Sequence, residues 1–141
     1  MSKLAVVYWT GTGNTEQMAA EVAAGAREKG AEAEVFNCSA FDAADVAKYD
    51  ALAFGCPAMG AEELEDSEFE PLFSACLPNL GGKKLGLFGS YGWGDGDWMR
   101  AWEDTCRQGG ADPDTESVIC CGAPDDEATE KLHAMGAALV G

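Results

Sequence analysis

Leu4-Ala5-Val6-Val7-Tyr8-Trp9-Thr10-Gly11-Thr12-Gly13-Asn14-Thr15 is the stretch whose reading decides the fold. An uncharged apolar run reads as a buried strand. A short turn of small and hydroxylated residues follows it. A helical pattern then begins at once, with Met18, Val22 and Ala26 at four-residue spacing and Gly30 as a stop. A strand–turn–helix of this kind aims backbone N–H groups at one point, the positive end of a helix dipole, and three threonine hydroxyls join them. The implied guest is a phosphate. The turn holds no Lys or Arg, so the phosphate would be held by neutral donors alone.

The same turn excludes two common phosphate sites. Glu16 occupies the third glycine position of a dinucleotide fingerprint, and the Gly-Lys-Ser/Thr of a nucleoside-triphosphate loop is missing. With neither lysine nor magnesium ligand, phosphoryl transfer has no machinery.

Outward from this stretch, strand and helix patterns alternate to the end of the chain. Strands are predicted at Lys3–Trp9, Ala33–Asn37, Ala51–Cys56, Lys84–Ser90 and Glu116–Cys120. Helices are predicted at Asn14–Lys29, Glu68–Leu77 (capped by Asp66 or Ser67), Asp97–Gln108 and Asp125–Leu139, with a weaker helical turn at Asp42–Lys48. This alternation implies one α/β domain over residues 1–141: a doubly wound, five-stranded parallel sheet, order 2-1-3-4-5, with helices on both faces. Ligands of such sheets sit beyond the carboxyl ends of the strands. Loops 10–15, 57–63 and 91–96 follow the first, third and fourth strands, which are neighbours in that order, so they should meet in one crevice.

The second of these loops is Pro57-Ala58-Met59-Gly60-Ala61-Glu62. A methionine there suits either the face of a flat ring or a lid over the core. Gly60 permits a tight turn, and the Glu62 carboxylate can accept from an N–H on a ring edge. The third loop is Ser90-Tyr91-Gly92-Trp93-Gly94-Asp95-Gly96. A Trp between glycines either stacks on a ligand or folds back onto the sheet end. Trp98 and Trp102 lie one helical turn apart and belong to a core-facing helix; Trp9 fits either role. Taken together, the loops describe a ligand with a phosphate at one end and a planar ring held between Met59 and Trp93 at the other. Riboflavin 5′-phosphate (FMN) has that shape.

The formal charge is −16, from 9 basic and 25 acidic residues. Such a charge repels nucleic acid. Glu62, Glu63, Glu65, Asp66, Glu68 and Glu70 crowd one segment, either a solvated face or a patch that steers a basic protein partner. Six cysteines and one histidine lack zinc-ligand spacing, and most of the cysteines are expected as small buried hydrophobes. No apolar run reaches membrane-spanning length. Met1-Ser2-Lys3 runs straight into a strand without a signal-peptide pattern, so a cytoplasmic location is expected.

On the Thr-Gly-Thr-Gly-Asn-Thr loop, Gly55-Cys56-Pro57-Ala58-Met59-Gly60 and Gly89-Ser90-Tyr91-Gly92-Trp93-Gly94-Asp95-Gly96, the chain resembles the flavodoxins, specifically the short-chain clostridial type. The resemblance runs over essentially all 141 residues and leaves no room for the insertion in strand five of long-chain members. It implies a low-potential one-electron carrier, not an enzyme, with noncovalently bound FMN cycling between semiquinone and hydroquinone. It further implies that Thr10, Gly11, Thr12, Gly13, Asn14, Thr15 and Ser90 hold the phosphate, and that Met59 and Trp93 flank the ring. Glu62 would accept from N3–H, and Ala58, Tyr91 and the backbone N–H groups near Gly92 and Gly94 would complete the ring site. The Gly60 carbonyl would turn toward N5–H in the semiquinone. Ala61 stands where relatives often carry Asp, and Gly122 where some carry Asn. Basic-patched redox proteins are the expected partners of a monomer. An FMN-dependent quinone-type reductase is the alternative; it would need an open pocket over the flavin, and no long substrate loop is present. A phosphoacceptor domain of similar topology would need acidic residues at the end of the first strand and a lysine after the fifth, and neither is there.

Overall fold

The computed structural model describes residues 3–9, 11, 13–59, 64–92 and 96–141. Five strands form one parallel sheet: β1 (Lys3–Tyr8), β2 (Glu32–Asn37), β3 (Ala51–Gly55), β4 (Lys84–Tyr91) and β5 (Val118–Cys121), in the order β2-β1-β3-β4-β5. The predicted order is the observed one. Boundaries shift by a residue or two, most at β5, which starts at Val118 rather than Glu116. There the polar residues Glu116 and Ser117 precede the ladder that pairs Phe88 with Val118.

Four α-helices cover the sheet: α1 (Asn14–Glu28), α2 (Phe69–Cys76), α3 (Asp97–Gln108) and α4 (Asp126–Leu139). Each face has its own core. On one side, Phe54 of β3 meets Phe69 and Phe73 of α2 edge-on, and Trp102 of α3 stands edge-on to both phenylalanines. Edge-to-face packing of this kind adds to simple burial. Trp98 and Trp102 are core residues, as their spacing predicts. On the other side, Met18, Val22 and Ala26 of α1 pack with Leu132, Met135 and Leu139 of α4 against Leu4, Val6 and Ala53. All five residues of β3 are buried, as expected for a strand covered on both faces.

Helices α1 and α4 cross at very close range. A Cβ on Gly25 would overlap the His133 carbonyl, and one on Gly136 would overlap the Val22 carbonyl. His133 then bridges the crossing, with Nε2 2.6 Å from a Glu21 oxygen and Nδ1 2.7 Å from a Glu28 oxygen. Carboxylates only accept, so both ring nitrogens must donate, and the imidazolium is the form that fits. The Glu21 hydrogen bond accordingly raises its pKa, against the opposing effect of burial.

Two sequence expectations are corrected. Asp66 and Ser67 do not cap α2; Glu65, one residue earlier, does. Glu65 also leaves the acidic surface segment, because it is only 6% exposed. Asp66, Glu68 and Glu70 remain exposed, and Glu62 and Glu63 lie outside the described residues. The weak turn at 42–48 is a 3-10 helix, Ala43–Lys48, started by Asp42 through a capping box with Asp45. All six cysteines are free thiols: Cys38, Cys56, Cys76 and Cys106 are buried, Cys120 is half-buried and Cys121 exposed. No helix among the described residues is long and apolar enough to cross a membrane.

Candidate functional site

The carboxyl ends of β1, β3 and β4 lie side by side because those strands are neighbours in the sheet. Two backbone hydrogen bonds extend the ladder past the strands proper: Trp9 N–H donates to the Gly55 carbonyl and Ala58 N–H to the Ser90 carbonyl, both at 3.0 Å. They draw the three loops together at their bases. A groove of about 300 Å³ opens where they meet. Trp9, Gly11 and Asn14 line it from the first loop, Pro57, Ala58 and Met59 from the second, and Ser90, Tyr91 and Gly92 from the third. The convergence expected from strand order is therefore seen.

At one end of the groove, Gly13 starts α1 with φ 95° and ψ −10°, a left-handed conformation that a glycine adopts without strain. A Cβ built on it meets nothing within 4 Å, so the space beside it is open. Among the described residues, no side chain caps α1. Its first-turn N–H groups carry the positive end of the helix dipole and are suited to an anion. Just inside, Thr15 and Ser90 are buried with their hydroxyl oxygens 3.5 Å apart. Thr15, Ser90 and Glu65 are the buried polar or charged side chains among the described residues. Two of the three thus stand at this end of the groove, although the helix and the strand that carry them are far apart in sequence. Close by, the Tyr8 hydroxyl donates to Glu16 at 2.9 Å. Burial, then that bond, raises the Tyr8 pKa and keeps its proton on.

Met59 and Trp9 are half-buried along the groove, and a Cβ on Gly92 would stand in open space. Below it, Tyr91 packs against Trp98 with ring centroids 5.7 Å apart, and the Trp98 indole N–H donates to the Cys56 carbonyl at 3.2 Å. Trp98 therefore serves as a pillar under two of the three loops. Its helical spacing marked it as core but gave no hint of this second role.

The structure brings Gly11, Asn14, Ala58, Met59, Ser90, Tyr91 and Gly92 to one groove and sets Gly13 and Thr15 at its end. Thr10, Thr12, Gly60, Glu62, Trp93 and Gly94 lie outside the described residues. Trp9, ambiguous in sequence, lines the groove. Cys56 and Glu65 were not foreseen as supports of this site, and only the glutamate's place ahead of a helix could have drawn notice.

A larger cavity of about 420 Å³ lies between β5 and α4. It is bordered by Glu116 and Lys131 and floored by Val118 and Met135, along the sheet edge rather than at the meeting of the three strand ends. Size favours it, but none of the described residues predicted to bind the ligand lines it. The smaller groove carries the chemistry.

The donor set of the smaller groove fits a phosphate ester with a planar ring. It has the N–H groups of a helix start that no described side chain caps, two buried hydroxyls, a thioether and an indole, with no cationic side chain among its described lining residues. Residues 6–135 match the family model described as Flavodoxin. The chain is 53% identical over 106 residues to a flavodoxin of Megasphaera elsdenii, covering 75% of this chain and 77% of that one. It is 44% identical over 121 residues to a flavodoxin of Clostridium beijerinckii, covering 86% and 88%. The solution structure of two-electron reduced Megasphaera elsdenii flavodoxin superposes with a TM-score of 0.84 at 43% identity, covering 96% of this chain and 98% of that one.

Proposed function

Because the chain belongs to the flavodoxin family, electron-transfer proteins that bind FMN and are not enzymes, we propose that it is a low-potential one-electron carrier that works as a cytoplasmic monomer between redox proteins. The observation that carries this reading is the buried Thr15–Ser90 hydroxyl pair beside the start of α1, in the same crevice as Met59. When bound, FMN supplies the redox chemistry, and the chain's own residues tune it.

Gly11, Gly13, Asn14, Thr15 and Ser90 hold the phosphate, joined by Thr10 and Thr12. Ala58, Met59, Tyr91 and Gly92 set the ring, joined by Gly60, Glu62, Trp93 and Gly94. Neutral donors bind the phosphate without cancelling its charge. In a protein of formal charge −16, further negative charge on the nearby ring is disfavoured, which lowers the potential for the last electron. The exposed carboxylates of Asp66, Glu68 and Glu70 give a basic partner surface something to meet.

Titration of the apoprotein with FMN should quench flavin fluorescence at one equivalent. Spectroelectrochemistry should then resolve two one-electron steps, the second at low potential. Absence of stoichiometric quenching, or a single two-electron wave, would overturn the proposal.

A further inference from the structure

We propose that Cys56 and Glu65 act as a positioning pair that pins both feet of the ring-side loop and so fixes where Met59 stands against the flavin. The inference rests on the FMN reading above and concerns residues that line no part of the groove.

Cys56 follows β3 directly and Glu65 precedes α2, so the two bracket residues 57–64. The Glu65 N–H donates to the Cys56 sulfur at 3.4 Å, closing the loop at its base. The same thiol donates to the Pro57 carbonyl at 3.5 Å, which orients the first peptide of the loop. Cys56 is fully buried, and burial pushes its thiol up to about 12, so the donor hydrogen stays in place at any working pH. The backbone of Cys56 is held as well: its N–H donates to the Phe88 carbonyl at 3.2 Å, and its carbonyl accepts from Trp98.

The other foot is held by charge. One Glu65 carboxylate oxygen accepts from Glu68 N–H at 2.8 Å and Phe69 N–H at 2.9 Å. The second accepts from Ser67 N–H at 3.0 Å and from the Ser67 hydroxyl. Several donors fixed on one buried carboxylate leave the Glu65 backbone little freedom. Met59 is three residues from one foot and six from the other. With both feet fixed, Met59 samples few positions; with one released, its spread grows and ring binding must pay for the lost order.

The test compares Cys56→Ala, Cys56→Ser, Glu65→Ala and Glu65→Gln with the parent, well below the melting temperature of each. In the apoprotein, amide exchange at Ala58 and Met59 should quicken about tenfold in both alanine variants, as expected for the loss of about one hydrogen bond of restraint, while Asn14 and Thr15 keep their rates. In the loaded protein, the Kd for FMN should rise about tenfold and the visible absorption bands should shift. Cys56→Ser, which keeps a donor and an acceptor, should recover most of both effects, and Glu65→Gln should fall between parent and alanine. A mere helix cap would lower the melting temperature and leave exchange at Ala58 and Met59, the flavin spectrum and the FMN affinity as in the parent; that outcome overturns the pairing. Should an alanine variant fail to fold, the serine and glutamine variants decide by the same readouts. Apoprotein exchange stands even if the parent bound no FMN, so failure of the pairing and failure of the cofactor reading are told apart.

Discussion

The N-termini of α1 and α2 lie in the same molecule and meet the same electrostatic problem with opposite solutions. Each presents N–H groups at the positive end of a dipole. At α2 the chain fills that place with its own carboxylate, the buried Glu65. At α1 no described side chain fills it; the helix starts on a left-handed glycine and is backed by the Thr15 and Ser90 hydroxyls. An anion is favourable at either end. The difference is whether the anion is built in, which stabilises the fold, or brought from outside, which makes a binding site. α4, capped by Asp125, is a second filled example, while α3 also starts on a left-handed glycine, Gly96, with no side-chain cap bond among the described residues, so it is the buried hydroxyls behind α1 that single out its start.

The most damaging change should be to give α1 a carboxylate of its own. Gly13→Asp places a negative charge beside the phosphate position, and like-charge juxtaposition costs several kcal/mol. The FMN Kd should rise about a thousandfold, or about 4 kcal/mol. The apoprotein should lose about 1 kcal/mol to the left-handed φ of 95°, partly offset by a carboxylate at a helix start, and stay folded. Fluorescence titration and urea unfolding of the apoprotein read the two effects separately. Unchanged FMN affinity would mean that the phosphate goes elsewhere.

At α2 the contrast can be broken with acid. Burial pushes the Glu65 carboxyl up, but hydrogen bonds from Ser67, Phe69 and Glu68 outweigh it and hold the pKa at about 2. A depressed folded-state value gives stability that is present above the ordinary carboxyl range and lost as pH falls. The window therefore runs from about 4.5 down to about 2, and the contribution is on the order of 3 kcal/mol. Urea midpoints of the apoprotein should fall across that window, and Glu65→Ala should flatten the slope. A parent and variant with the same acid limb would remove Glu65 from its place as the inner cap.

A smaller effect is expected inside the α1 site. Thr15→Val deletes one buried hydroxyl, leaves Ser90 without its partner and keeps the shape. FMN affinity should drop about tenfold, with apoprotein stability down by about 1 kcal/mol. A larger loss of stability than of affinity would make the pair a core feature rather than a phosphate holder.

The same contrast explains what could be read ahead of the structure. The α1 end was legible because its chemistry is contiguous: strand, turn and helix follow one another within Leu4–Met18. The sheet order followed from alternation alone, since parallel crossovers leave few topologies. The α2 end was misread because capping preferences point to Asp or Ser immediately before a helix, and a glutamate reaching forward over four residues competes with that rule. Glu65 was counted with its acidic neighbours on the surface because charge density carries no sign of burial. The Cys56–Glu65 contact spans nine positions with no periodicity to announce it. The close approaches of Gly25 to the His133 carbonyl and of Gly136 to the Val22 carbonyl were equally hidden, because close helix crossing is a property of the pair and not of either helix.

The mildest test asks whether a filled helix start remote from the phosphate matters to binding at all. Asp125 is exposed, and its side chain accepts from Ala128 N–H at 2.8 Å at the start of α4. Asp125→Ala removes that cap and should lower apoprotein stability by about 1 kcal/mol, as caps ordinarily do. The cost should be smaller than at Glu65, because water can replace the lost acceptor at an exposed helix start and cannot at a buried one. FMN affinity should be unchanged, since α1 and the hydroxyl pair are untouched. If it fell along with stability, α4 would be transmitting strain to α1 through their close crossing, and the two helix starts would have to be treated as coupled rather than as independent solutions to one electrostatic demand.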